Sequence, residues 1–304
     1  MNRTVLRRLA RIAGRLITVA AFVFIALAIR REWGAVADRH LPVRIWPAIA
    51  GIAVIYGSAL MFNAEVWHRL ISDFARTRLP RRVTLPSYAL SQLAKYVPGN
   101  VFQYVGRHGL MSRAGVANAP LLRAMTWDIG FLLVGASLTA LLAFTLFPID
   151  IAFLSAALLR DAAVVAGIVA VVAAGALSLS PWLARHVSAA RPQVTTAVMV
   201  IPLLLGFFTV QASAFTLVGA LVTGQLVPQL ATVAVIAWVA GFLPLGTPAG
   251  LGTREAVILL LAGPLVGPAD AIVVAALFRL TTTLGDCVCY AIGVAINRRE
   301  LRPA

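Results

Sequence analysis

Ile201-Pro-Leu-Leu-Leu-Gly-Phe-Phe-Thr-Val-Gln-Ala-Ser-Ala-Phe-Thr-Leu-Val-Gly-Ala-Leu-Val222 lies inside a longer stretch, Pro192 to Thr253, that contains no Asp, Glu, Lys or Arg. A helix needs about 20 mostly apolar residues to cross hydrocarbon, so this stretch holds a complete span and much of a hairpin. The rest of the chain reads the same way, with 61% apolar and 12% charged residues among 304. A membrane β-barrel would show short alternating strands between turns, and that pattern is missing. The sequence therefore predicts an all-α, multi-pass integral membrane protein. Residues 1–304 form one polytopic domain, because no polar block is long enough for a separate soluble one.

Hydropathy places six spans, near 12–29, 45–67, 121–147, 162–182, 194–222 and 269–296. Between them lie 84–112 and 229–266, each read as two short helical halves around a Pro/Gly break. Such halves suit re-entrant hairpins better than full crossings. Arg3, Arg7, Arg8, Arg11 and Arg15 precede an apolar run to Ile29 that is long for a signal peptide and lacks a clear cleavage site, so it reads as an uncleaved anchor. With both termini in the cytoplasm, the inner segments carry eighteen arginines and the outer loops five, the asymmetry expected of a cell-membrane protein. The net charge of +15 is spread over these short loops and is read as topology signals and anionic-lipid contacts, not as a nucleic-acid surface. Trp33, Trp46, Trp67 and Trp182 fall near span ends and read as interfacial anchors.

This topology divides into halves, 1–160 and 161–304, each running span, span, hairpin, span. An odd number of spans precedes the second half, so it enters the membrane upside down: an inverted repeat, as in many transporters. One short match supports the repeat, with Arg123-Ala-Met-Thr-Trp-Asp-Ile-Gly130 set against Arg279-Leu-Thr-Thr-Thr-Leu-Gly-Asp286.

The breaks themselves are Lys95-Tyr-Val-Pro-Gly-Asn100 and Thr247-Pro-Ala-Gly-Leu-Gly-Thr-Arg-Glu255. A helix that begins after such a break aims unpaired N–H groups and its positive dipole end at the gap, a site for phosphate or carboxylate. Gly99, Gly250 and Gly252 allow close backbone approach, while Pro98 and Pro248 stop the preceding helix. Lys95, Arg107, Arg123, Arg254 and Arg279 stand nearby. Each buried cation costs about 2.5 to 3.5 kcal/mol on insertion scales, so a cluster of them calls for anionic partners. One reading supplies a lipid phosphate. The other supplies the chain's own acids: Arg254 with Glu255 or Asp286, and Arg123 or Arg279 with Asp128. Asp128 and Asp286 are in addition candidates for proton coupling.

Other chemistry is sparse. Gly246 to Gly252 lacks a preceding strand and a Gly-Lys-Ser/Thr ending, so it matches no nucleotide fingerprint. Cys287 and Cys289 fall on different helix faces without histidine neighbours, and His40, His68, His108 and His186 lack ligand spacing, so neither a metal nor another cofactor is expected. No catalytic set can be named, and the chain is not read as an enzyme.

Lys95-Tyr-Val-Pro-Gly99 followed by Arg107, and Pro248-Ala-Gly-Leu-Gly-Thr-Arg-Glu255 followed by Arg279, resemble the two signature regions of the lysylphosphatidylglycerol synthase transmembrane family, whose stand-alone members are called flippase-like proteins. The likeness extends over nearly the whole chain, although only these two regions are specific. Ala249 stands where the family more often has glycine or serine. The resemblance implies transbilayer translocation of an anionic or phosphate-bearing lipid, such as a modified phospholipid or a polyprenyl-phosphate-linked lipid. It places Lys95, Tyr96, Pro98, Gly99, Arg107, Arg123, Pro248, Gly250, Gly252, Arg254, Glu255 and Arg279 at the headgroup. The chain ends at Ala304 without a synthase domain, so lysyl transfer is not expected. The alternative is a non-transporting membrane partner of a lipid-modifying enzyme or glycosyltransferase.

Overall fold

In the computed structural model the described residues are 41–97, 101–149, 191–242 and 252–298, with the helical positions Val23, Leu27 and Arg30. All described elements are helical: α1 Ile45–Phe74, α2 Arg81–Ser91 continued by a 3-10 turn Gln92–Tyr96, α3 Phe102–Arg113, α4 Asn118–Leu146, α5 Val194–Thr223, α6 Leu230–Phe242, α7 Thr253–Val266 and α8 Pro268–Arg298. Four of them, α1, α4, α5 and α8, are long and apolar enough to cross a membrane. They correspond to four of the six expected spans. The other two, 12–29 and 162–182, lie outside the described residues apart from Val23 and Leu27, as do Trp33 and Trp182.

The helix boundaries follow from local chemistry. Gly224 ends α5 in the left-handed conformation, its N–H donating to the Ala220 carbonyl. Gly267 at φ +87° ends α7, and Pro268, which has no N–H to leave unpaired, opens α8. The four helices beside the two breaks hold 11 to 14 residues each. At 1.5 Å per residue they reach roughly 16–21 Å, well short of the ~30 Å hydrocarbon core.

The eight helices form two sets in one register. The first set starts at residues 45, 81, 102 and 118, and the second at 194, 230, 253 and 268, an offset of about 150 throughout. Their packing repeats too. α1 lies on α8 as α5 lies on α4; α2 on α8 as α6 on α4; α2 on α3 as α6 on α7; α1 on α4 as α5 on α8; and α1 and α5 meet each other. Glycines at two close crossings share this offset: Gly135, against Leu204, and Gly285, against Gly57. A Cβ on Gly57 would collide with the Gly285 carbonyl, and one on Gly135 would come 2.6 Å from Leu204 Cβ. Small residues at such crossings let membrane helices pack by van der Waals contact, the main attraction available in lipid.

This register corrects the short sequence match. At an offset near 150 Arg279 falls beside Asp128, not at Arg123, because Asp128 lies ten residues into α4 and Arg279 eleven into α8. The core is densest around α8, where 72% of the most apolar window is buried, against 28% for α4. Leu138, Leu141 and Leu142 of α4 face outward. Cys289 is buried and Cys287 partly exposed, on the separate faces expected of them. Trp67 is corrected as well: it is fully buried, and its indole N–H donates to Ser87 Oγ at 3.0 Å, so it is a core residue and not an interfacial anchor.

Candidate headgroup cavity

A polar cavity of about 110 Å³ opens among α1, both broken helix pairs, α5 and α8. Its wall contains Lys95, Tyr96, Arg107, Arg254, Arg279 and Asp286, so described residues from beside both breaks face one space.

Lys95 reaches it because the 3-10 turn ends α2 beside α8. Its ammonium donates to Asp286 Oδ1 at 2.8 Å, and the Tyr96 hydroxyl donates to Asp286 Oδ2 at 2.6 Å and lies 3.2 Å from the Thr283 hydroxyl. Asp286 is thus held on both oxygens and fully buried. The bond joins residues 191 apart and ties the first break to the second half.

Arg107, on α3, donates to Asp128 Oδ2 of α4 at 2.7 Å. The guanidinium sits over the rings of Tyr88, Trp67 and Tyr104, at 4.2, 4.9 and 5.5 Å from their centroids. Aromatic faces attract a cation electrostatically and more so when it is desolvated. Arg107 and Asp128 are 2% and 1% exposed, so this pair is almost wholly buried, with Arg107 at the cavity wall.

The second half builds the corresponding pair with its charges exchanged. Glu255 on α7 accepts from Arg279 on α8, and its other oxygen accepts from the Gly252 N–H at 2.7 Å. Glu255 thereby caps the start of α7, whose entry requires Gly252 at φ +91°. This pair is less enclosed, with Glu255 21% exposed.

Arg254 is different. Its guanidinium lies 4.9 Å from the centre of the Phe278 ring, and it makes no ion pair among the described residues. Its Nη2 is buried without a hydrogen-bond acceptor. A buried donor left unmade costs about 1–3 kcal/mol, more when charged.

Arg279 is therefore paired with one of the chain's own acids, as the sequence allows, but with a different one, and Lys95 and Arg107, for which the sequence suggests no partner, are paired as well. Glu255, not Asp128, takes Arg279; Lys95, not Arg254, takes Asp286; and Arg107 takes Asp128. Arg123 stands apart from the cavity. It lines a separate opening with Asp73, Arg76, Arg78 and Arg191. Pro98, Gly99, Pro248 and Gly250 lie outside the described residues.

Several cavity residues escaped the sequence reading: Tyr56, Asn63, Gln92, Gln103 and Trp238. Asn63 had a readable signal, an amide in the middle of an apolar helix. The tyrosines and Trp238 had none, since an aromatic residue in such a helix packs equally well anywhere in the core.

In comparisons with known proteins, no family model and no curated protein matches the chain.

Proposed function

We propose that the chain carries an anionic or phosphate-bearing lipid across the bilayer, with the headgroup held in the cavity and its acyl or prenyl chains left in lipid. Arg254 carries this reading. A half-buried cation, with every nearby carboxylate among the described residues already paired, is stabilised by an incoming phosphate more than by anything the described chain supplies. The cavity is large enough for a headgroup but not for the hydrophobic chains, which fits a site open sideways to lipid.

Alternating access follows from the paired halves. In this proposal they form an inverted repeat of six spans and two re-entrant hairpins in the cell membrane, with both termini cytoplasmic. Lys95 and Asp286 join the first hairpin to the second half, so this contact breaks and re-forms as the halves rock about the site. Asp286, losing its lysine in one state, is the acid best placed for proton coupling. The resemblance to flippase-like proteins supports the same reading through the two motifs that flank the cavity.

The test is native mass spectrometry after gentle detergent extraction. Wild type is expected to retain one anionic lipid that folded Arg254→Gln releases. Equal retention of bulk lipid by both would overturn the carrier reading and favour the alternative, a membrane partner of a lipid-modifying enzyme or glycosyltransferase.

A further inference from the structure

The charges around the cavity can be counted. Lys95, Arg107 and Arg279 are each matched by one carboxylate, on Asp286, Asp128 and Glu255. Among the described residues Arg254 is left as a single positive charge. The two breaks cannot cancel it, because residues 98–100 and 243–251 contain no ionisable side chain. A guest with one negative charge brings the site to neutrality. A doubly charged guest leaves an excess anion in a medium that solvates it poorly, and a neutral guest leaves the cation as it was.

The carboxylates are also occupied. Both oxygens of Asp286 and both of Glu255 already accept hydrogen bonds. Asp128 retains one unpartnered oxygen, but it is buried away from the cavity wall. An ammonium-bearing headgroup would thus enter a site with four cations around it and, among the described residues of its wall, no carboxylate oxygen without a partner.

What the wall does offer is uncharged amides. Asn63 and Gln92 line the cavity and are only 2% and 5% exposed. Their carbonyl oxygens are closed off from it, so what they present to a guest is N–H donors. Hydroxyl oxygens accept from such donors without adding charge.

From these observations we infer that the headgroup taken by this cavity is a phosphodiester monoanion whose substituent is neutral and hydroxyl-bearing, a polyol or a sugar. Phosphomonoesters, pyrophosphates and aminoacylated headgroups are disfavoured. The inference rests on the lipid-carrier reading above and specifies the substrate class of that site.

The experiment offers wild-type protein in detergent an equimolar mixture of lipids with identical acyl chains, and reads bound lipid by native mass spectrometry. The mixture holds phosphatidylglycerol (a diester with hydroxyls), phosphatidylmethanol (a diester without them), phosphatidic acid (a monoester carrying about −1.5 to −2 charges at pH 7) and lysylphosphatidylglycerol. The expected order puts phosphatidylglycerol at least tenfold above phosphatidic acid and lysylphosphatidylglycerol, and severalfold above phosphatidylmethanol. Asn63→Leu should erase the last difference while leaving the first two. Arg254→Lys should keep the order, and Arg254→Gln should lose phosphatidylglycerol. Preference for phosphatidic acid or the lysyl lipid, with Arg254 still required, would overturn this inference and leave the carrier reading standing. Retention of every lipid alike, in wild type and in Arg254→Gln, would overturn both.

Discussion

The two halves of this protein place an ion pair at the same point and put it to opposite ends. In the first half Arg107 and Asp128 are packed against three aromatic rings, and both side chains are almost wholly buried. In the second half Glu255 and Arg279 exchange the signs, sit nearer the opening, and have Arg254 beside them without a carboxylate. A buried charge that has an opposite charge as its partner is part of the scaffold. One lacking a partner in the same low-dielectric surroundings is where a ligand has most to contribute. In the carrier proposal, this contrast gives the first pair a structural role and the second region the recognition of the guest.

The sharpest way to break the comparison is to remove Arg107. Arg107→Ala leaves Asp128 charged and buried, and removal of one partner of such a pair costs about 3–5 kcal/mol. We expect monodisperse protein to disappear on size-exclusion chromatography, and the double variant Arg107→Met/Asp128→Leu to restore much of it. Wild-type behaviour of Arg107→Ala would mean the first pair is not structural.

Next in size are the glycine crossings. Gly285→Val drives a side chain into Tyr56 and the Ala53 carbonyl, and Gly135→Val meets Leu204. Each overpacked contact should cost about 1–3 kcal/mol, read as a lowered unfolding temperature in detergent. Similar losses at both positions would sharpen the equivalence of the two crossings, and a loss at only one would weaken it.

Glu255→Gln keeps an acceptor for the Gly252 N–H but removes the charge facing Arg279. Hydrogen bonds to charged groups are worth about 1.5–3 kcal/mol, so a modest fall in unfolding temperature is expected. The cavity then holds two unmatched cations, and bound lipid should shift toward doubly charged headgroups. No shift would show that charge balance does not set the choice of guest.

Arg254→Gln should cost least in stability, because it removes a half-buried cation that has no carboxylate partner among the described residues. Its unfolding temperature should stay within a few degrees of wild type or rise, while anionic lipid is lost. A collapse of the fold would show that Arg254 belongs to the scaffold after all.

The four long apolar helices and the short helices on either side of the two Pro/Gly stretches were legible because hydropathy and Pro/Gly punctuation are local properties of a chain. Lys95, Arg107, Arg254 and Arg279 were legible as a group because full charges in an apolar chain stand out. Their partners were not. Lys95 finds Asp286 at a separation of 191 residues, and nothing local in either segment announces that contact. The enclosure of Arg107 draws Trp67, Tyr88 and Tyr104 from separate elements, and Trp67 read as an interfacial anchor because position along a helix does not distinguish its buried face from its lipid face. The match of Arg123 to Arg279 failed for a related reason. Identical letters over a few positions carry less weight than the geometry of packing, and the true register is marked by glycines, where two helices must touch.

The most direct test is lipid movement itself. Purified wild type, Arg254→Gln and an empty preparation would be reconstituted into vesicles containing fluorescent phosphatidylglycerol, and the label accessible to a membrane-impermeant quencher followed with time. The account predicts that wild type exposes inner-leaflet lipid well beyond the empty vesicles, and that folded Arg254→Gln matches the empty vesicles. Movement at the same rate in wild type and Arg254→Gln would contradict it.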